Sequence, residues 1–543
     1  MGRSNDSIRA EVVARYLLAT AEEMGATLMR TAFSPNIKER ADCSTAVFDR
    51  DGEVVALAQR VPIHLGSMVG AVDAILKRFT RSEIKPGDMF MANDPYNGGG
   101  THLPDVNVIS PVFFEGEIVA FVANIAHHAD VGGMVPGSEA AVCNSIFQEG
   151  LRIPPVRIMR EGEINRDVLD IFLLNSRTSD ERLGDLRAQF ASNTVGARSV
   201  VALFTRYGAA QTHETIASYL DFTERRFAAA VAKLPAGTYV AEDYLDGNVE
   251  GETARIRLAL TAKGGKLHFD FAGTDRQLAT ARNIPYRALL ATIYTVAKSL
   301  LDPDVPANAG YYRTITVDAP EGCVVGPVPP AAVGCRSISA SVLGDVIAAA
   351  MSQAMPDRTL AGSGPHHLIV LAGRDPRNQK YFVNYETFAG GMGARAYRDG
   401  VDGVRVHASG SSNLPTEALE HAYPFRVERY ALREGSGGAG EYRGGMGVVR
   451  DYKVLGEEVV VSLSSERQHV AAGGAAGGGV GATGAFILNP GTPGERTLPS
   501  ASGEIKLAPG DVLRVSTPAG GGYGPADRRR AESAEKDRIE QRV

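Results

Sequence analysis

Residues 107–130 read NVISPVFFEGEIVAFVANIAHHAD. Two apolar runs, 107–114 and 117–126, flank Glu115-Gly116, the pattern of two strands joined by a tight turn. Side chains alternate along a strand, so His127 shares a face with Ile125 and Ala123, while His128 and Asp130 point the other way. Just upstream, residues 93–105 read NDPYNGGGTHLPD, a loop in which Gly98 to Gly100 precede His102 and Asp105. A tight turn can aim residues i and i+3 at one ion. A mononuclear catalytic metal takes two or three histidines and a carboxylate, with one position left open. His102 and Asp105 are therefore candidate ligands. One of His127 and His128 can join them, and alternation alone leaves open which. The competing reading is a polar turn beside hydrogen-bonded histidines. His64, in VPIHLGSM, either lines the same cleft or is structural. His366 and His367 precede a strand, and the remaining histidines have no partner motif.

Working outward, Ala10, Val13, Leu17, Ala21, Met24 and Leu28 recur at steps of three and four, the stripe of an amphipathic helix over 7–30. TAVFDRDGEVVAL (45–57) reads as a hairpin around Asp51-Gly52. Helices are expected at 68–79, in two segments between 165 and about 207, and at 213–233. The middle third offers strands in GTYVAEDYLDG and ARIRLALTAKGGKLHFDFAGT, then helices at 287–301 and 339–354. From about 420, strands such as FRVERYAL, GVVRDYKVL and EVVVSLSS are separated by glycine-rich loops. The fold class is α+β, multi-domain and mixed, with a β-rich, glycine-rich C-terminal region. The expected divisions are an N-terminal α+β domain with the metal site (1–235), a central α/β domain (236–420), a β-rich domain (421–525) and a charged tail (526–543).

A chain of 543 residues exceeds one ordinary core, and roughly two to four domains are expected. With 44% hydrophobic and 22% charged residues it is a folded protein rather than a disordered one. A net charge of -6 argues against non-specific nucleic-acid binding. No window holds the ~18 uninterrupted apolar residues of a membrane span. The opening MGRSNDSIRAEVV lacks an apolar secretory core, so the expected location is the cytoplasm. Cys43, Cys143, Cys323 and Cys335 are widely spaced, which fits reduced thiols better than disulfides or a thiolate zinc site. GSGGAG (435–440) matches the dinucleotide fingerprint G-x-G-x-x-G. EYRGGMG and a strand follow it, where the fingerprint needs a helix, so it reads as a loop between strands. No G-x-x-x-x-G-K-[ST] occurs, so ATP, if used, is expected on another chain.

Several long motifs carry a resemblance. TAEEMGATLMRTAFSPNIKERADCSTAVFD, GDMFMANDPYNGGGTHLPDVNVISPVFFEGEIVAFVANIAHHADVGG, QEGLRIPPVRI, EGSGGAGEYRGGMG and TPAGGGYG follow one another as in the B-subunit of the hydantoinase/oxoprolinase family. The resemblance runs from about residue 7 to about residue 525. The same family includes the large α-subunits of acetone and acetophenone carboxylases. It implies that a partner A-subunit, an ATPase of the acetate/sugar-kinase type, phosphorylates the carbonyl or enol oxygen of the substrate. The B-subunit then finishes the reaction at a divalent metal, for which Zn²⁺, Mn²⁺ and Fe²⁺ suit the donor set alike. By the family pattern the ligands are His102, Asp105 and His127, with Asp42 in KERADCS as the fourth. His128 and Asp130 are left as catalytic groups that orient ligands or move protons. An amide is a poor electrophile. Phosphorylation of its oxygen supplies a leaving group, and a metal-bound water with a pKa lowered toward ~7 can attack. Two departures stand out: Ser145 in CNSIFQEG replaces an acidic residue, and SSERQHVAAGGAAGGG replaces an Arg- and Pro-rich stretch.

The leading expectation is a B-subunit of an ATP-dependent hydrolase acting on a hydantoin, 5-oxoproline or related lactam. It would work in a hetero-oligomer such as α2β2 with the A-type ATPase. The first alternative is an α-type subunit of a ketone carboxylase, for which the chain is short. The second is a non-catalytic scaffold for the ATPase.

Overall fold

The computed structural model describes residues 2–58, 60–98, 100–247 and 251–542. The chain opens with the helix Gly2–Thr31, whose residues Val13, Leu17, Ala21, Met24 and Leu28 are buried as the stripe requires. The first sheet is built from β1 (Cys43–Asp49), β2 (Val54–Ala58), β3 (Met89–Ala92), β4 (Asp105–Phe114), β5 (Glu117–His127), β6 (Val156–Arg160) and β7 (Glu163–Ile164). Its strand order is β2-β1-β5-β4-β3-β6-β7, and every pairing is antiparallel. The helices Gly2–Thr31 and Ser179–Tyr207 pack together and onto β1, β4 and β5. Asn124 and Asn193 tie that face with hydrogen bonds, Asn124 Nδ2 donating to Asn193 Oδ1 at 2.8 Å.

The central sheet holds β8 (Gly237–Asp246), β9 (Thr253–Lys263), β10 (Lys266–Asp270) and β11 (Ile315–Asp318), with one parallel pair, β10 with β11. The burial of β9 alternates strictly, and the helix Arg336–Ala354 covers its apolar face. The rest is β-rich: β12 (His367–Arg374), β13 (Tyr381–Phe388), β14 (Phe425–Leu432), β15 (Val448–Val454), β16 (Val459–Ser464), β17 (Ala485–Leu488), β18 (Arg496–Leu498), β19 (Ala501–Leu507) and β20 (Val512–Ser516). They form two antiparallel sheets, β13-β12-β16-β19 and β14-β15-β20-β17-β18.

Three expectations need correction. The helix expected at 68–79 is two pieces, His64–Met68 and Ala71–Arg78, because Gly70 takes a left-handed conformation between them. The boundary expected at 420 falls within the helix Thr416–Ala422 and would divide a sheet, since β12 pairs with β16. The boundary expected at 235 falls inside a core that runs from Val13 through Phe269 to Ala348. Hydrophobic runs locate strands, but they do not say which sheet a strand joins. The stretch GSGGAG, as expected, lies between β14 and β15. Its neighbour Gly444 shows why glycine clusters there: a Cβ would lie 1.9 Å from the Gly520 carbonyl oxygen, so two backbones pack in contact. The tail forms a helix at Ala531–Ile539, pinned by the Arg529–Asp537 ion pair. Among the described residues no helix is long and apolar enough to cross a membrane.

Candidate metal centre

The β4–β5 hairpin brings the centre together. Its turn uses Glu115 and Gly116, both at positive φ, as the sequence suggests. The ladder then slips by one residue: Phe113 pairs with Ile118, whereas Val112 pairs with Ala120, leaving Val119 without a partner. Beyond this bulge Asp105 lies directly opposite His127, and directly paired residues share a face. Without the slip Asp105 would face Ala126, on the His128 side. The bulge is what selects His127.

Asp42 arrives from the neighbouring strand. Its carbonyl accepts from the His127 N–H at 3.0 Å, and Cys43 pairs with Ala126. Ala41, at φ 54, takes a left-handed conformation uncommon for a residue with a side chain, which sets the direction of Asp42. His102 lies in the loop before β4. Gly98 there has φ 94, and a Cβ on Gly100 would lie 2.6 Å from the Asn93 carbonyl oxygen; Gly99 lies outside the described residues.

One donor atom from each of His102, Asp105 and His127 lies within 4.8 Å of the others, and all three residues are buried. His102 Nδ1 donates to the Gly334 carbonyl at 3.0 Å, which leaves Nε2 facing Asp105 Oδ1 at 3.1 Å. Burial lowers the His102 pKa, with Arg336 adding to the effect. Burial would raise the Asp105 carboxyl, but His102, Arg336 and His64 hold it well below the usual range. Two electron-rich atoms therefore face each other. His102 Nε2, Asp105 Oδ1 and His127 Nε2 have no hydrogen-bond partner. Buried polar atoms are rarely left so, and a cation between them satisfies all three. The other oxygen of Asp105 is already used, accepting from Arg336 Nη2 at 2.6 Å and Thr101 Oγ1 at 2.8 Å. His127 packs against Tyr385 with 4.3 Å between ring centres, and its Nδ1 faces the Asn36 amide at 3.1 Å.

Asp42 is not inside this triad. It is linked through His64, whose Nε2 lies 3.6 Å from both Asp42 Oδ1 and Asp105 Oδ1. His64 thus does line the cleft. Glu139, which the sequence reading missed, adds a third carboxylate: its Oε2 lies 3.5 Å from His127 Nε2, and neither oxygen has a hydrogen-bond partner. Its local sequence, VPGSEAA, carries no ligand spacing. Ser138 before it holds φ 57, and the Ser138 hydroxyl is locked between Val131 N–H and Gly132 O. Behind His102, Glu149 Oε1 accepts from the N–H groups of Val333 and Gly334 at 2.8 and 2.6 Å. Burial pushes Glu149 up to about 8.

His128 and Asp130 are not brought to the centre. His128 points to the opposite face of the sheet, with Nε2 3.0 Å from Gln189 Oε1 and its ring edge-on to Phe172. Asp130 binds Arg177 at 2.9 Å and accepts from the N–H groups of Gly132 and Gly137, which is a loop-closing role. His128 follows the end of β5 and turns away from His127, whereas Asp130 lies beyond the strand in the loop it closes. Ser145 caps the short turn Ile146–Gln148.

The chain has known relatives. The family model described as hydantoinase B/oxoprolinase matches residues 6–526. An uncharacterised protein of Methanocaldococcus jannaschii is 36% identical, over 96% of this chain and 91% of its own length. A protein of a Pseudomonas strain, named as the B-type component of a D-/L-hydantoinase, is 30% identical, over 98% of this chain and 93% of its own. The 5-oxoprolinase 1 of Arabidopsis thaliana is 32% identical over 96% of this chain, which spans only 42% of that longer protein. Among solved structures, the ATP-dependent caprolactamase of Pseudomonas jessenii superposes with a TM-score of 0.90 at 28% identity, covering 99% of this chain and 94% of that one. An acetone carboxylase chain shares the fold, with a TM-score of 0.93 at 18% identity, covering 99% of this chain and 78% of that one. The chain belongs to the hydantoinase B/oxoprolinase family.

Proposed function

We propose that this chain is the metal-site subunit of an ATP-dependent hydrolase that opens cyclic amides of the lactam, hydantoin or 5-oxoproline kind. It works with an A-type ATPase subunit that phosphorylates the amide oxygen. The observation that carries the reading is the convergence of the unpartnered His102 Nε2, Asp105 Oδ1 and His127 Nε2. Relatives named for 5-oxoproline, hydantoin and caprolactam support the substrate class, and the hydantoinase relative, named as one component of its enzyme, supports a partner. The lack of a phosphate-loop sequence agrees with ATP being bound elsewhere.

A divalent cation held here, Zn²⁺, Mn²⁺ or Fe²⁺ by donor type, supplies the charge that acidifies water and polarises the activated amide. The protein's own groups set the stage. The Gly334 carbonyl fixes the His102 tautomer. Arg336 and Thr101 occupy one oxygen of Asp105 and turn the other inward. Asp42, beside His64, closes the fourth side. Glu139, with two free oxygens next to His127, takes a proton from the water that attacks the activated carbon and gives it to the ring nitrogen as the C–N bond breaks; a second water then hydrolyses the resulting acyl phosphate to the carboxylate and inorganic phosphate.

The chain, purified together with its A-type partner, is expected to hydrolyse ATP only when a lactam is supplied, with ring opening in step. ATP use that ignores lactams but requires a ketone and bicarbonate would place it with the carboxylases. Full turnover by a metal-free His102→Ala protein would make it a scaffold.

A further inference from the structure

The cleft that opens on the metal centre has a second, cationic wall. Asp42, His64 and His127 line one side, and Arg405, Ser409, Ser411 and Thr387 line the other. Arg405 is partly buried and donates only to neutral acceptors: Thr387 O at 2.6 Å, Ser409 Oγ at 3.1 Å and Asn413 Oδ1 at 3.4 Å. Behind it Arg40, 1% exposed, also donates only to neutral groups, among them Asn36 Oδ1 at 2.7 Å, Tyr385 O at 2.9 Å and Thr387 Oγ1 at 2.5 Å. Among the described residues neither guanidinium has a carboxylate oxygen within 4.0 Å. Asp42 and Glu386 act on Arg405 only through space, and neighbouring guanidinium groups shielded from water without a carboxylate in direct contact are costly to keep. Their charge is felt nearby: burial and the field of Arg405, Arg336 and Arg40, with His367 beside it, hold His366 well below its ordinary pKa. Burial and Arg40 push Arg405 itself down to about 9.

The remaining side of the cleft comes from the start of the helix Arg336–Ala354. Ser337 and His366 line it, with the Ser337 hydroxyl 3.2 Å from His366 Nε2. Ser337 lies in the first turn of that helix, whose start no side chain caps. Arginine, hydroxyl groups and a helix start are the chemistry that binds a phosphate dianion, and charged acceptors bind a guanidinium more strongly than the neutral ones Arg405 now uses.

We propose that Arg405, backed by Arg40 and facing Ser337, is the subsite for the phosphate group of the phosphorylated amide, holding it while the carbon next to it lies at the metal centre. This rests on the function proposed above, but its first test does not. Inorganic phosphate, titrated calorimetrically into the full chain, is expected to bind. Arg405→Gln should weaken it about tenfold or more, and Arg405→Lys should recover part of the loss. Phosphate is also expected to slow the modification of Arg405 by phenylglyoxal in the unaltered protein, which needs no variant. Unchanged phosphate affinity in a folded Arg405→Gln protein, no protection of Arg405, or stronger binding of acetate or bicarbonate than of phosphate would overturn the subsite. These results stand whether or not lactams drive ATP use. In the complex with the ATPase, Arg405→Gln is expected to raise the ATP spent per ring opened, because the activated substrate escapes. If the variant only relieves inhibition by free phosphate, with coupling unchanged, the subsite holds released phosphate and the proposal fails.

Discussion

Asp105 and His127 face each other across the β4–β5 ladder, and they do so because Val119 is skipped near the turn. That slip separates two histidines adjacent in sequence into different roles. His127→Ala is expected to lower the bound metal at least tenfold, as removal of a ligand from a buried site should. His128→Ala is expected to leave metal content unchanged and to cost stability through its lost packing on Phe172. Metal analysis and a urea titration of both variants check this, and metal loss in the His128 variant would contradict the geometry.

Glu139 approaches His127 without a hydrogen bond to spend. As the proton carrier, Glu139→Gln should reduce turnover by about 10²–10⁴ while the metal stays bound. If the metal leaves with the carboxylate, Glu139 is a ligand instead.

Glu149 supports the Gly334 peptide whose carbonyl receives His102. Burial raises its pKa to about 8, above the value near 4.3 expected in the unfolded chain. Between these values the folded protein binds the extra proton, so its stability falls as pH rises through the window. Glu149→Gln keeps an oxygen for the two N–H groups and removes the ionisation. In metal-free protein, its stability relative to the unaltered chain should rise between about pH 4.3 and pH 8, by a few kcal/mol at most. Denaturant midpoints measured across that range test the claim, and parallel profiles would refute it.

Gly444 leaves no room for a methyl group against Gly520. Gly444→Ala should destabilise the protein by roughly 1–3 kcal/mol or more, read as a lower urea midpoint with the metal content intact. An unchanged midpoint would mean that the glycine layer is not tightly packed.

Much of this architecture was legible in the sequence. The stripe from Val13 to Leu28, the Glu115-Gly116 turn and the loop at GSGGAG all depend on local periodicity or turn chemistry, which neighbouring residues report. The pairing of β12 with β16, across nearly a hundred residues, does not. The centre divides in the same way. His102 and Asp105 share one loop and were visible as a pair. The placement of His127 opposite Asp105 depends on a one-residue bulge that alternation cannot show; the family resemblance implies His127 as the ligand, and the proposed centre uses it. Glu139 and Arg405 come from segments with no motif of their own, and only the folded chain brings them to the cleft. His128 and Asp130 carry suitable chemistry next to His127, but they follow the end of β5 and bind Gln189 and Arg177 instead.

The proposed function requires one divalent cation held between β4, β5 and the loop before them. Diffraction data from crystals of the metal-loaded chain, collected on both sides of the metal's absorption edge, test it most directly. A single anomalous peak is expected about 2.0–2.2 Å from His102 Nε2, Asp105 Oδ1 and His127 Nε2, with Asp42 on the fourth side. A peak placed at His128 and Asp130, or none at this triad in metal-replete and active protein, would contradict it.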